Sequence, residues 1–183
     1  MKIQENISLK NYNTFGVEAK AHYFVEVHDL HELKYATEFA KINHIKILFL
    51  GGGSNLLFTQ DFDGLVIKLN LKGISEEILD ENHVLVSAKA GENWHEFVLY
   101  TLSKNYGGLE NLSLIPGNVG TCPIQNIGAY GTEIKDHFVS CKALNLETSE
   151  IEELSLEDCK FGYRDSIFKT SAKGKYVIVE VTF

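Results

Sequence analysis

The stretch from residue 23 to residue 50 constrains the fold most, because it places one amphipathic segment between two strand-like runs. "YFVEV" (23–27) and "IKILFL" (45–50) are rich in aromatic and β-branched residues, which is typical of buried strands. Asp29 followed by Glu32 resembles a helix capping box. The expected buried face of the helix comprises Leu30, Leu33, Ala36 and Ala40. Strand, helix and strand in this order predict a crossover that joins parallel strands.

The rest of the chain continues this mixture of strands and helices. Strands are predicted at 64–69 and 83–90, a hairpin at 138–154, a short turn capped by Ser155, and a last strand from 176 onward. A second helix is predicted over 92–105, ending at Gly107-Gly108. Its buried stripe comprises Trp94, Phe97, Val98, Thr101 and Leu102, and Trp94 is read as core packing. The predicted class is α+β in two lobes, residues 1–72 and 73–183.

Composition narrows the classes of protein to which the chain can belong. The formal charge of −8 argues against nucleic-acid binding, which requires Lys and Arg to neutralise phosphates. No signal peptide opens the sequence, and no run approaches the roughly 20 apolar residues of a membrane span. Three cysteines without paired spacing and seven scattered histidines indicate neither a disulfide framework nor a metal site. We expect a cytoplasmic protein with reduced thiols, no membrane attachment and no metal; oligomeric state is left open.

A glycine-rich turn directly follows the strand at 45–50. Gly51, Gly52 and Gly53 allow positive φ and close approach of another group, and Ser54 and Asn55 add short polar side chains. Successive exposed N–H groups in such a turn form an anion-binding concavity. Neither a P-loop nor a Rossmann fingerprint is present, however. On the residues alone, a phosphate-binding turn and a purely structural turn remain equally open.

The segment from Gly107 to Gly131 contains six of the fifteen glycines and both prolines, and residues 114–131, "LIPGNVGTCPIQNIGAYG", include no charged side chain. A loop of this length is usually functional or disordered, and its apolar content argues against disorder. Gln125 and Asn126 offer amides that can recognise a heteroaromatic ring or a diphosphate, and Tyr130 offers a flat face. We interpret the loop as wrapping a nucleotide-like cofactor.

Arg164 in "FGYRDSIF" is the only arginine, since every other basic residue among the seventeen lysines and arginines is a lysine. A lone guanidinium beside Tyr163 suits the gripping of a carboxylate. A structural ion pair with an acid brought near by the fold is the alternative.

Taken together, "NTFGVEAKA", "LGGGSNLLF", "AGENWHEFV", "GLENLSLIPGNVGTCPIQNIGAYG" and "CKFGYRDSIFK" resemble, in residues and order, the UDP-N-acetylenolpyruvoylglucosamine reductase family, most closely its type I branch. The resemblance covers almost the whole chain. It implies a two-lobed FAD-binding domain of the vanillyl-alcohol-oxidase/PCMH kind, with the flavin between the lobes. It also implies an oxidoreductase that uses NADPH to reduce UDP-N-acetylglucosamine enolpyruvate to UDP-N-acetylmuramate for peptidoglycan, and so a role in cell wall biogenesis, cell shape and cell division.

The resemblance also assigns site residues. Gly51, Gly52, Gly53, Ser54 and Asn55 would hold the FAD diphosphate. Arg164 and Tyr163 would be catalytic, and both would bind substrate together with Tyr130. The remaining cofactor-binding residues would be Gly117, Gly120, Thr121, Cys122, Pro123, Gln125, Asn126, Gly128 and Ala129.

This sequence departs from the family in two respects. Thr121 and Cys122 stand where members often carry two small residues such as Ser-Ser. Members also continue into a substrate-binding domain that supplies a protonating serine and a late glutamate, and neither is found before Phe183. We therefore expect the FAD-binding portion of a longer reductase, without the C-terminal substrate domain and with little or no activity alone. Another flavoprotein of this fold, such as an oxidase, and a stand-alone flavin-binding module without catalytic activity are the alternatives.

Overall fold

A computed structural model describes all 183 residues, which divide into two compact units, Met1–Leu71 and Lys72–Phe183. The predicted division lies one residue further along the chain. Both units combine helices with sheet, so the predicted α+β class is confirmed. None of the helices has the length and apolar character needed to span a membrane.

The first unit is a four-stranded mixed sheet with one long helix. Its elements are β1 (Gln4–Ser8), β2 (Lys20–Val27), α1 (Leu30–Ile42), β3 (Ile47–Leu50) and β4 (Phe62–Leu69). The strand order is β1-β2-β4-β3, in which β2 and β3 both run parallel to β4, while β1 is antiparallel to β2. The predicted crossover through α1 is therefore confirmed, but β4 lies between the two strands that it joins.

Helix α1 begins where the sequence indicates. The Asp29 side chain accepts a hydrogen bond from the Glu32 N–H, and the Glu32 carboxylate accepts one from the His28 N–H at 2.9 Å. Leu33, Ala36 and Ala40 are buried as predicted, and Thr37 is buried on the same face of the helix. The prediction for Leu30 is wrong. As the first helical residue it lies beyond the packed face and is 37% exposed.

The second unit is built on a five-stranded antiparallel sheet in the order β10-β9-β11-β6-β5. Its helices are α2 (Trp94–Ser103) and α3 (Leu156–Cys159), the latter capped by Ser155 as predicted. Its strands are β5 (Ile74–Ile78), β6 (Val84–Lys89), β7 (Gly128–Ala129), β8 (Thr132–Glu133), β9 (Ser140–Asn145), β10 (Ile151–Ser155) and β11 (Tyr176–Thr182). β7 and β8 form a separate two-stranded hairpin.

Helix α2 supplies the centre of the second core. Trp94 is buried, as predicted, and its Nε1 donates to the Leu112 carbonyl at 2.7 Å. Its ring also packs on Phe97 and Phe183. Leu102 was predicted to be buried but is 41% exposed, because it lies in the last turn and faces outward.

The predicted end of α2 at Gly107 is also wrong. The helix stops at Ser103, because Asn105 adopts the left-handed conformation (φ 61°) that commonly ends helices. The N–H groups of Asn105 and Tyr106 then donate to the carbonyls of Leu102 and Thr101.

Candidate functional site

The glycine-rich turn directly follows β3, at the carboxyl edge of the parallel strands of the first unit. Gly53 is buried with φ 70°, and a Cβ there would lie 2.0 Å from the Tyr12 carbonyl oxygen. Its own carbonyl accepts a hydrogen bond from the Thr14 N–H at 3.1 Å. Only glycine fits this position, and the reason is backbone packing within the protein.

The N–H groups of the same turn have a different character. None of the five backbone N–H groups from Gly51 to Asn55 donates to an acceptor within the protein. Consecutive unused donors at the carboxyl end of parallel strands suit a bound anion, and a dinucleotide's diphosphate supplies one. The donor set therefore fits FAD. Both the structural and the phosphate-binding interpretation of the turn apply, but to different parts of it. Gly53 is required for the backbone packing of the turn, whereas the N–H groups are available to a ligand.

The loop from Gly107 to Gly131 is ordered, as expected from its apolar content. Single 3₁₀ turns at Glu110–Leu112 and Val119–Thr121 and the short strand β7 interrupt it. Leu112, Val119 and Ile127 belong to the buried core of the second unit. These apolar side chains anchor the loop on the second core, and further loop residues, Asn118, Gly120, Cys122, Pro123 and Asn126, are buried with them.

Two of the predicted cofactor residues in this loop are held tightly against the protein. A Cβ at Gly120 would lie 2.4 Å from the Cβ of Ala90, and the Gly120 N–H donates to the Ala90 carbonyl at 3.0 Å. Cys122 is 1% exposed, and burial raises the pKa of its thiol well above the ordinary value, so the thiol is neutral and no nucleophile. Their side-chain positions serve packing, which leaves backbone as the part of this turn that a ligand can meet.

The segments 124–128 and 162–166 are joined by three hydrogen bonds, which we call the loop–turn link. Ser166 Oγ donates to the Ile124 carbonyl at 2.6 Å. Asn126 Nδ2 donates to the Gly162 carbonyl at 2.8 Å. Arg164 Nη2 donates to the Gly128 carbonyl at 2.5 Å. The link brings the two motifs that the sequence singled out into direct contact.

Asn126 is the buried centre of the loop–turn link. It is 0% exposed, and its Oδ1 also accepts the Lys135 N–H at 3.2 Å. Because both ends of its amide are bonded within the protein, this side chain has no polar atom left to recognise a ring edge. Gln125 beside it is half-buried, and its side-chain amide makes no hydrogen bond within the protein.

Arg164 and Tyr163 are the central residues of a tight turn that Gly162 and Asp165 close with two backbone hydrogen bonds. Arg164 has φ 53°, a left-handed conformation uncommon for a residue other than glycine. Lys169 Nζ fixes the turn from the other side by donating to the Arg164 carbonyl at 2.7 Å. Strained backbone of this kind is frequent at functional sites.

The Arg164 guanidinium bonds to a backbone carbonyl, that of Gly128, and to no carboxylate. No ion pair involves Arg164, so the structural ion-pair alternative is wrong. Tyr163 is 85% exposed and Tyr130 is 88% exposed, which leaves two aromatic side chains and one cation at the surface of the link. An exposed guanidinium with most of its donors unused is suited to bind a carboxylate.

The local charges around the link are well defined. Lys135 Nζ lies 2.6 Å from Glu133 Oε2, and its hydrogen bond lowers the pKa of the Glu133 carboxyl. Burial opposes this shift without cancelling it. Glu133 is therefore ionised at neutral pH and compensated by its own lysine.

The sequence analysis missed one residue at the glycine-rich turn. Lys68 Nζ donates to the Gly51 carbonyl oxygen. A lone lysine inside the apolar run "GLVIKL" was the available signal. Ser166 and Lys169, which fix the arginine turn, had no comparable signal, because their partners are distant or backbone atoms.

Two other features lie apart from these residues. A cavity of about 450 Å³ in the second unit is lined in part by His83, Tyr106, His137 and Phe183, and none of the predicted site residues lines it. No group of three or more His, Cys, Asp or Glu side chains is arranged to hold a metal ion.

Comparison with known proteins also indicates an FAD-binding chain. Residues 21–155 match the family model described as "FAD binding domain". The chain is 56% identical over its full length to the UDP-N-acetylenolpyruvoylglucosamine reductase of Flavobacterium johnsoniae and covers 54% of that protein. It is 50% identical to the reductase of the same name from Amoebophilus asiaticus, again over 100% of the chain and 54% of the relative. The chain thus spans about half the length of the curated relatives it matches.

Solved structures are similar over nearly the whole chain. The UDP-N-acetylenolpyruvylglucosamine reductase of Thermus caldophilus superposes with a TM-score of 0.77 at 26% identity, covering 99% of this chain and 61% of that one. A VAO-type flavoprotein from Myceliophthora thermophila gives a TM-score of 0.66 at 14% identity over 89% of this chain and 31% of that one, a likeness of fold alone. The predicted vanillyl-alcohol-oxidase type of fold is confirmed. With the match over residues 21–155, these findings show that the chain belongs to the FAD-binding domain family.

Proposed function

We propose that the chain is the FAD-binding part of a cytoplasmic reductase that uses NADPH to convert UDP-N-acetylglucosamine enolpyruvate into UDP-N-acetylmuramate for peptidoglycan. The observation that carries this proposal is the only arginine of the chain, exposed, without an acidic partner and held by a backbone carbonyl. The reductases to which the chain is 56% and 50% identical support the choice of reaction.

Two segments of the chain are assigned to the cofactor. The N–H groups of Gly51 to Asn55, which have no acceptor within the protein, would hold the diphosphate. The backbone from Gly117 to Ala129 and the Gln125 amide would hold the remainder. Because Gly120, Cys122 and Asn126 are packed within the protein, they would act through backbone and through the shape of the loop.

FAD, when bound, supplies the hydride chemistry that links NADPH to the substrate alkene. The protein's part is to bind, orient and stabilise charge. Arg164 would grip the carboxylate of the enolpyruvyl group, on which negative charge grows as the alkene is reduced. Its position is set in advance by the loop–turn link, so little reorganisation is needed when that charge appears.

Tyr163 and Tyr130 would pack beside the same substrate. Both are almost fully exposed aromatic side chains, and both are adjacent to a fixed element: Tyr163 in the arginine turn, Tyr130 after β7. Amphipathic rings of this kind supply apolar contact and a hydroxyl at one site.

The first test is cofactor binding by the 183-residue chain. We expect flavin absorption bands in the purified protein, FAD as the chromophore released on denaturation, and near-equal amounts of FAD and protein. A colourless chain that also fails to take up added FAD would contradict the cofactor assignment.

The second test separates the reductase from the alternatives and uses a protein of the relatives' length that carries this chain. Arg164→Lys keeps the charge and loses the planar fork, so kcat for the enolpyruvyl substrate should fall about 10²- to 10³-fold while FAD content stays unchanged. Tyr35→Phe, an exposed change on α1 outside the proposed site, is the control. NADPH oxidation that does not depend on the enolpyruvyl substrate would favour another flavoprotein activity. The 183-residue chain alone should bind FAD and turn over poorly.

A further inference from the structure

Lys68 is the one cation at the carboxyl edge of the first unit's parallel strands whose side chain bonds to the glycine-rich turn. It is half-buried on β4, and the register places it beside Leu50 of β3 and Glu26 of β2. Gly51, the residue after Leu50, is the first residue of the turn. Lys68 Nζ donates a hydrogen bond to the carbonyl oxygen of Gly51.

This contact fixes more than one atom. The peptide bond between Gly51 and Gly52 is planar and trans, so the Gly52 N–H points in the direction opposite to the Gly51 carbonyl. Once Lys68 holds that carbonyl on the side of β4, the Gly52 N–H must face away from β4. Gly52 is exposed and its N–H has no acceptor within the protein. A single side chain therefore orients a free donor of the turn.

The charge of Lys68 acts in the same direction. A cation that bonds a peptide carbonyl polarises that peptide and strengthens the donor at its other end. Glu26, the neighbouring carboxylate, accepts a hydrogen bond from Asn70 Nδ2 at 2.7 Å. The hydrogen bond to Gly51 brings a positive charge to the turn, in a chain whose formal charge of −8 otherwise repels anions.

We propose that Lys68 is a positioning residue for the diphosphate of the cofactor: its bond to Gly51 aims the turn's N–H groups, and its charge raises their affinity for the anion. This inference rests on the proposed assignment of the diphosphate to Gly51–Asn55. It adds to that assignment a side chain that does not itself need to touch the cofactor.

The test compares FAD affinity in three variants of the 183-residue chain. Lys68→Met removes the bond and the charge, Lys68→Arg keeps both, and Lys46→Met makes the same charge change at an exposed position before β3. Losing a hydrogen bond to a charged group changes a dissociation constant by about tenfold or more. We expect Lys68→Met to weaken FAD binding about tenfold or more and the other two to bind nearly as the parent chain does.

Ionic strength provides the readout that a merely structural role would not change. FAD affinity of the parent and of Lys68→Arg should fall as salt is raised, and that dependence should be smaller in Lys68→Met. Equal affinity and equal salt dependence in Lys68→Met and the parent would overturn the proposal, as would equal losses in Lys68→Met and Lys68→Arg.

A cofactor-free measurement keeps the inference separate from the proposed function. In the apo chain, the amide resonances of Gly51, Gly52 and Gly53 should move in Lys68→Met and stay near their parent positions in Lys68→Arg. If the parent chain fails to bind FAD, the cofactor assignment fails, whereas unchanged glycine resonances in Lys68→Met show that Lys68 does not orient the turn.

Discussion

Replacing Gly53 by alanine tests whether close backbone packing shapes the glycine-rich turn. At φ 70° an alanine is in the left-handed region, at a cost of about 1–2 kcal/mol. Its Cβ would also lie 2.0 Å from the Tyr12 carbonyl oxygen, so the two chain segments must separate by more than an ångström. Overpacking of this kind costs about 1–3 kcal/mol, and the separation also endangers the Thr14–Gly53 hydrogen bond, worth about 1 kcal/mol. We expect Gly53→Ala to lose about 3–6 kcal/mol of unfolding free energy.

Gly16→Ala is the matched control. Gly16 has φ 63°, almost the same conformation, but nothing lies within 4 Å of its Cβ position. It should therefore lose only the conformational cost of about 1–2 kcal/mol. The difference between the two variants isolates the contact with Tyr12.

Urea unfolding followed by circular dichroism measures both losses. The only tryptophan, Trp94, lies in the second unit, so its fluorescence reports that unit while circular dichroism reports the whole chain. The Gly53→Ala loss should appear in the dichroism signal, and its FAD affinity should fall as well. If Gly53→Ala costs no more than Gly16→Ala, the turn is not shaped by this contact and the reasoning fails.

Three further predictions concern the second unit. Asn126→Asp replaces the donor to the Gly162 carbonyl by a buried acceptor, so unfolding free energy should fall by about 3 kcal/mol or more in urea titration, whereas a loss below 1 kcal/mol would deny the link its buried centre. The three buried cysteines should react with an aromatic disulfide reagent only after unfolding, and labelling of the folded chain at the rate of a free thiol would contradict their burial. Burial raises the pKa of Glu180, but hydrogen bonds from its two lysine partners outweigh it and the pKa lies below its ordinary 4.5. Its contribution is therefore present at neutral pH and lost as the pH falls through and below that value, so Glu180→Gln should flatten the acid side of the stability profile, and an unchanged profile would count against the pairing.

The elements that the sequence predicted are those whose residues share a buried face. Leu33, Ala36 and Ala40 recur at helical spacing, and the apolar runs of β2, β3 and β4 are buried strands. β1 and β5 were missed because they are edge strands with mostly exposed, polar side chains. The place of β4 between β2 and β3 was not predictable either, because strand pairing is a non-local property that no window of sequence contains.

The sequence predicted which segments form the candidate site, but it did not predict the role of each residue within them. The family resemblance assigned Gly53, Gly120 and Asn126 to the cofactor, and each also has a close partner within the protein: the Tyr12 carbonyl, the Ala90 side chain and the Gly162 carbonyl. Those partners are distant in sequence, so only the folded chain reveals them. The cofactor-binding and catalytic assignments remain predictions.

The loop–turn link also determines when the site can form. Its three hydrogen bonds join residues 36, 42 and 36 positions apart, so none of them can form from local structure. Closing such long loops costs entropy before the contacts repay it, and non-local contacts therefore slow folding. We expect the arginine turn to reach its final position late, after the sheet of the second unit has assembled. For the same reason the guanidinium would be released by local opening while the strands beneath it stay intact.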